Sequence, residues 1–128
     1  MILAINTAGP EIGIALHWPQ KIEKFQEWRS ELKSENLLVK IDKILSQNQV
    51  KLDNLKAVIV NQGPGSFTGL RVGISTANAL AYALKIPVIG IKNQKNPLKL
   101  VKQGYKKFKS IKSKADSKVL PFYGYKIS

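Results

Sequence analysis

Cysteine is absent from this 128-residue chain, histidine and methionine occur once each, and acids are scarce, with eight Asp and Glu against 21 Lys and Arg. Without cysteine there is no disulfide and no thiolate metal site. A single histidine, His17, gives no histidine pair for a metal, and it is the one imidazole that a serine nucleophile such as Ser66 could use. No apolar run approaches the ~20 residues of a membrane-spanning helix. The opening MILAINTAGPEIGIAL is apolar but has no basic start and no small-residue cleavage site, so a strand is expected there and not an export signal. A cytoplasmic location is the expectation.

What is present suits one globular domain. Hydrophobic residues make up 44% of the chain, and the length supports one core but not two. The charge is divided unevenly. Residues 1–91 carry a net +3, and residues 92–128 carry eleven lysines against the single acid Asp116, a net +10. The first part reads as an ordinary domain and the second as a Lys-rich extension. Such an extension serves either nucleic acid or an acidic partner, or is simply a solvated surface.

The pattern along the chain gives an element order. Met1 to Thr7 reads as a buried strand, Ala8 to Glu11 as a turn, Ile12 to Leu16 as a second strand, and Ile22 to Trp28 as a third, more exposed one. A helix is expected over roughly Ser34 to Asn48, with Ser34 as cap, Glu35 in the first turn, and Leu37, Leu38, Ile41, Ile44 and Leu45 at helical spacing. Ala57 to Asn61 reads as a buried parallel strand, followed by a helix to Leu84 and a fifth strand, Val88 to Ile91. The order β-β-β-α-β-α-β predicts an α/β fold. It is a single ribonuclease H-like, or actin-like (ASKHA), lobe over residues 1–91, with a mixed sheet flanked by helices. Beyond it, Asn96-Pro97 is a helix start. A basic amphipathic helix is expected over 97–109, with Leu98, Val101, Tyr105 and Phe108 on one side and Gly104 weakening it. Residues 110–118 read as a linker and Val119 to Tyr123 as a short terminal strand.

Between the fourth strand and its helix stands Gly63-Pro64-Gly65-Ser66-Phe67-Thr68-Gly69. Strand, glycines and helix N-terminus are the general recipe for anion binding. Yet the loop lacks the Gly-Lys-Ser/Thr ending of a nucleotide P-loop, and its glycine spacing is not that of a dinucleotide fingerprint. The plainer reading is a turn whose glycines take special backbone angles, with Ser66 or Thr68 as helix cap. The helix that follows carries Gly69, Gly73, Ala77 and Ala81 on one face, spaced by four. That stripe packs either on its own sheet or against a partner helix, and the surplus of apolar residues on both helices favours the partner.

The stretch GPGSFTGLRVGISTANALAYALKIPVIGI resembles the signature of the TsaB family, and ILAINTAGPEIGIAL and SENLLVKIDKIL resemble that family's first hairpin and first helix. The resemblance runs through residues 1–91. It implies a non-catalytic scaffold subunit in the synthesis of threonylcarbamoyladenosine next to the anticodon of tRNA. Such a subunit pairs with a TsaD-type catalytic paralogue and acts together with a TsaE-type ATPase. The implied interface is Leu37, Leu38, Ile41 and Leu45 on the first helix, and Gly69, Arg71, Val72, Gly73, Thr76 and Ala77 on the second. This chain departs from the pattern in two ways. Asn6 stands where the family has an aspartate, and the lysine-rich residues stand where a second lobe follows. A self-paired homodimer is expected when the partner is missing.

Enzyme readings find little support in these residues. A ribonuclease H-type nuclease needs carboxylates to hold two metal ions, and the strand ends offer Asn6, Thr7, Asn61 and Gln62. No cofactor or metal is expected. The alternative to the scaffold is a stand-alone basic RNA-binding module on a degenerate lobe. It would contact tRNA through Lys95, Lys99, Lys102, Lys106, Lys107, Lys109, Lys112 and Lys114. The two readings are compatible, because the lobe could hold a partner while the lysines hold tRNA.

Overall fold

The computed structural model describes residues 1–19, 24–31 and 37–111. Five strands, β1 (Ile2–Asn6), β2 (Glu11–Trp18), β3 (Lys24–Glu31), β4 (Ala57–Asn61) and β5 (Val88–Ile91), form one sheet in the order β3-β2-β1-β4-β5. Three α-helices accompany it: α1 (Leu37–Gln47), α2 (Phe67–Leu84) and α3 (Pro97–Ile111). β1, β2 and β3 are an antiparallel meander, and β4 and β5 add in parallel beside β1. This is the mixed sheet of the ribonuclease H-like fold that the element order predicts.

Side-chain alternation along the strands explains the layers. Leu3, Ile5, Ile14, Leu16, Val58 and Val60 point to one face and pack with Leu37, Ile41, Ile44 and Leu45 of α1 and Leu70, Ile74, Ala77 and Ala81 of α2. Ile2, Ala4, Ala15, Ala57, Ile59 and Ile89 point to the other face and pack with Leu100 and Val101 of α3. β1 and β4 are therefore buried along their whole length, as central strands covered on both faces must be. β3 lies at the edge with the pattern KFQEWRSE, and its charges discourage pairing with another chain.

Several expectations shift in detail. β3 spans Lys24 to Glu31, ending three residues beyond the expected Trp28, while the expected start at Ile22 lies outside the described residues. The expected cap Ser34, the first-turn Glu35, the lysines Lys112 and Lys114, and the terminal strand at Val119 to Tyr123 lie outside the described residues. The helix beyond residue 91 is not an appendage. Its apolar side is the only α-helical cover described on the second sheet face, and Leu100 and Val101 are fully buried there. The expected heptad side of Leu98, Val101, Tyr105 and Phe108 is rotated, because Leu98, Tyr105 and Phe108 are only half-buried while Leu100 and Val101 reach the sheet. Gly104 is the reason for this close fit. A Cβ there would stand 2.4 Å from both Cγ atoms of Ile59. The glycine that costs α3 about 1 kcal/mol in helix propensity is what lets it touch β4. Asn96 caps the helix, its Oδ1 accepting from the Leu98 and Lys99 amides at 3.0 and 3.2 Å.

Trp18 and Trp28 cover the edge of the meander against the first core. His17 is buried between the rings of Phe25 and Tyr105, each with its centroid 4.6 Å away, which is a packing role.

Candidate functional site

Two places gather the residues singled out in the sequence. One is the end of the sheet where β1 and β4 meet the glycine loop. The other is the helix pair α1 and α2.

At the sheet end, amides stand in an interlocked set. Asn6 Nδ2 donates to the Lys95 carbonyl at 2.7 Å, and Asn6 Oδ1 accepts from the Ala8 amide at 3.1 Å and from Asn61 Nδ2 at 2.9 Å. Asn61 Oδ1 accepts from the Gly63 amide at 3.0 Å. Both side chains are buried. Three of the links join β1 to β4, β4 to the glycine loop, and β1 to the segment that leads into α3, and the fourth, from Ala8 to Asn6, closes the turn after β1. These amides present no carboxylate, and among the described residues no three His, Asp or Glu side chains lie together as a metal site would need.

The glycine loop is locked onto the turn after β1. Gly63 has φ 102°, in the region that favours glycine, and the Gly63–Pro64 peptide is cis. The Ser66 amide donates to the Ala8 carbonyl at 3.0 Å. Ser66 caps α2, its Oγ accepting from the Gly69 amide at 3.0 Å, while Thr7 Oγ1 donates to the Gly69 carbonyl. Two amides that a bound anion would draw on are thus already donated inside the chain. Gly63 and Gly69 are buried, Pro64 and Gly65 half-buried, and Ser66, Phe67 and Thr68 exposed. The geometry is that of a joint which sets the start of α2.

The expected interface residues separate into two groups. Leu37, Ile41 and Leu45 are buried against the sheet, and so are Gly69, Gly73 and Ala77. The small-residue stripe is the inward face of α2, not an outward one. A Cβ on Gly73 would come 2.2 Å from Thr7 Oγ1. Close approach of α2 to β1 is therefore what the stripe provides. Arg71 is exposed, Val72 and Thr76 are half-buried, and Leu38 is 60% exposed.

Leu38 belongs to a surface the sequence reading did not assemble. With Ser75, Thr76, Ala79, Leu80 and Ala83 of α2 it lines an open, mostly apolar groove of about 410 Å³ between the two helices. Val39 and Tyr82, on the same two helices, are 62% and 88% exposed. Residues 75, 76, 79, 80 and 83 recur at helical spacing, so this second stripe was available in the sequence beside the glycine-alanine one.

The expected lysines are exposed where they are described: Lys95 before α3, and Lys99, Lys102, Lys106, Lys107 and Lys109 on it. They lie on the opposite side of the sheet from the groove.

Comparison with known proteins agrees with this architecture. A family model for TsaD, tRNA N6-adenosine threonylcarbamoyltransferase, matches residues 27–96. The tRNA threonylcarbamoyladenosine biosynthesis protein TsaB of Haemophilus influenzae is 34% identical over 92 residues, covering 72% of this chain and 39% of that protein. TsaB of Escherichia coli is 33% identical over 90 residues, covering 70% and 39%. The tRNA N6-adenosine threonylcarbamoyltransferase of Nitrosospira multiformis is 37% identical over 108 residues, covering 71% and 31%. Among solved structures, YeaZ from Pseudomonas aeruginosa superposes with a TM-score of 0.66 at 26% identity, covering 72% of this chain and 44% of that one. RuvC of T. thermophilus, at 10% identity and a TM-score of 0.50, shares the fold alone. The chain spans about two fifths of the length of the TsaB proteins it matches. The chain belongs to the family that the TsaD model describes, and TsaB proteins are among its relatives.

Proposed function

We propose that this chain is a non-catalytic subunit for the synthesis of threonylcarbamoyladenosine in tRNA, and that it supports a TsaD-type catalytic subunit by docking through the outer faces of α1 and α2. The observation that carries the reading is the apolar groove of Leu38, Ala79, Leu80 and Ala83, on helices that also expose Val39 and Tyr82. A contiguous apolar surface of this kind marks an interaction site on a small domain. The buried Asn6–Asn61 pair supports the non-catalytic part, since neither amide can relay a proton or hold a metal as a carboxylate would. The place of action is the cytoplasm, where tRNA is modified.

The corrected residue set decides the experiment. Bulky replacements at Gly73 or Ala77 would test folding, because both face the sheet. The docking test is Leu38→Glu with Ala79→Arg, both at exposed positions. The native chain and a TsaD-type protein from the same cell co-elute on a sizing column, and the double variant elutes alone with its melting temperature within a few degrees of native. Without the partner, the native chain self-associates through the same groove and the variant does not. A TsaE-type ATPase added to the column run joins the native pair. Co-elution of the double variant equal to native would sink the docking reading.

A further inference from the structure

Four lysines of α3 fall on a single line. Lys99, Lys102, Lys106 and Lys109 are separated by three, four and three residues, which is one stripe along a helix, about 15 Å long at 1.5 Å per residue. All four are exposed. The opposite side of the same helix is spent on the sheet, through Leu100, Val101 and Gly104. The stripe is therefore held by the core and is not a floating tail. The helix sequence PLKLVKQGYKKFKSI contains no acid, and among the described residues none of the four forms an ion pair with a carboxylate. Lys102 and Lys109 instead lie over the rings of Phe25 and Tyr105, with the ammonium 4.9 and 4.6 Å from the centroid, which limits the directions those two chains sample. Lys107 turns aside, donating to the Gly90 carbonyl at 3.3 Å.

We infer that the Lys99–Lys102–Lys106–Lys109 stripe is a binding surface for the phosphate backbone of a folded RNA. Lysines are hydrated point charges that hold phosphate without reading bases. A rigid row of them, interspersed with polar residues such as Gln103, fits a charged backbone. Insertion into a lipid surface would need the helix's apolar face, and that face is committed to β1 and β4. The choice of RNA over another polyanion rests on the tRNA-modification reading above. The stripe lies across the sheet from the α1–α2 groove, so RNA and a protein partner can be bound together.

The test is fluorescence anisotropy of a labelled tRNA transcript titrated with the full chain at several salt concentrations. Each phosphate contact contributes roughly 0.7–0.9 to the slope of log affinity against log salt. Replacing all four lysines by glutamine lowers that slope by about 3, and weakens binding at least about tenfold at moderate salt. A charge-matched variant with Lys43→Gln, Lys51→Gln, Lys56→Gln and Lys85→Gln changes the slope by less than about 1. The pair Lys99→Gln and Lys106→Gln, which removes no ring contact, lowers it by about 1.5 and serves if the fourfold variant melts early. Equal losses in the stripe and charge-matched variants would reduce the effect to net charge and overturn the inference. So would unchanged RNA binding in the stripe variant combined with lost sedimentation on phosphatidylserine-rich vesicles. The stripe variant retains co-elution with the TsaD-type protein and the groove variant retains the RNA slope, so the two proposals fail separately.

Discussion

Gly73→Ala adds one methyl group to a helix, a change that usually stabilises by about 1 kcal/mol through helix propensity. Here it should destabilise. The new carbon would stand 2.2 Å from Thr7 Oγ1 and 3.2 Å from Thr7 Cβ and Cγ2. Thr7 is 1% exposed and its hydroxyl donates to the Gly69 carbonyl, one turn before Gly73 on the same helix. If Thr7 rotates away, a buried hydrogen bond is lost at a cost of about 1–3 kcal/mol. If α2 lifts instead, overpacking costs a similar ~1–3 kcal/mol and disturbs Leu70, Ile74 and Ala77 in the same core. Either route offsets or exceeds the propensity gain, for a net loss of up to about 2 kcal/mol. Urea unfolding followed by the fluorescence of Trp18 and Trp28 measures it. The decisive comparison is the same substitution in a Thr7→Ala background, where Oγ1 and Cγ2 are gone. There Gly73→Ala should be neutral or stabilising, giving a coupling of about 1–3 kcal/mol in the double-mutant cycle. Equal effects in both backgrounds, or stabilisation of the native chain, would refute the view that this glycine exists for close approach to β1.

Two further substitutions probe the joint at the sheet end. Ser66→Ala removes the cap that accepts from the Gly69 amide and should cost about 1 kcal/mol in the same urea assay, with the slope of the transition unchanged. Asn61→Ala removes the acceptor of the Gly63 amide and one donor to Asn6 Oδ1. It should cost about 2–4 kcal/mol and speed hydrogen exchange at the Gly63 amide before that of the β1 and β4 cores, whereas uniform acceleration would count against a local role.

The sheet was readable because its strands carry period-two or unbroken apolar runs, and the strand order follows from the connections. β4 and β5 need the crossover that α2 supplies, and β1 to β3 are close enough in sequence to form hairpins. The role of α3 was harder to read. Its five exposed lysines dominate the composition, and the two residues that matter most, Leu100 and Val101, look no different from the half-buried Leu98 and Phe108. Only the third dimension shows that Gly104 meets Ile59 and so fixes which side of the helix faces inward. Gly69, Gly73 and Ala77 misled for a related reason. Spacing by four establishes a common face but not what lies against it, and a sheet and a partner helix ask for the same small residues. Asn6 and Asn61 are legible together as strand-end amides, but 55 residues separate them, and nothing in either position announces that Asn61 donates to Asn6.

The protein partner and the RNA proposed above would be met on opposite faces of the fold. α1 and α2 give their large buried side chains to the first core, and the groove left between them outside is lined largely by apolar residues such as Leu38, Ala79 and Ala83. α3 gives Leu100 and Val101 to the second core, and what remains outside is long and charged. A docking helix can approach closely over alanines, because they offer little side-chain entropy to lose and no polar group to desolvate. Lysines on stems anchored by a buried helix reach a phosphate without moving the backbone beneath them. The amides between Asn6, Asn61, Ala8, Gly63 and Lys95 tie these layers at one end of the sheet. The polar groups at the strand ends are thereby used for holding α2 and α3 in register, as the proposed scaffold role would require.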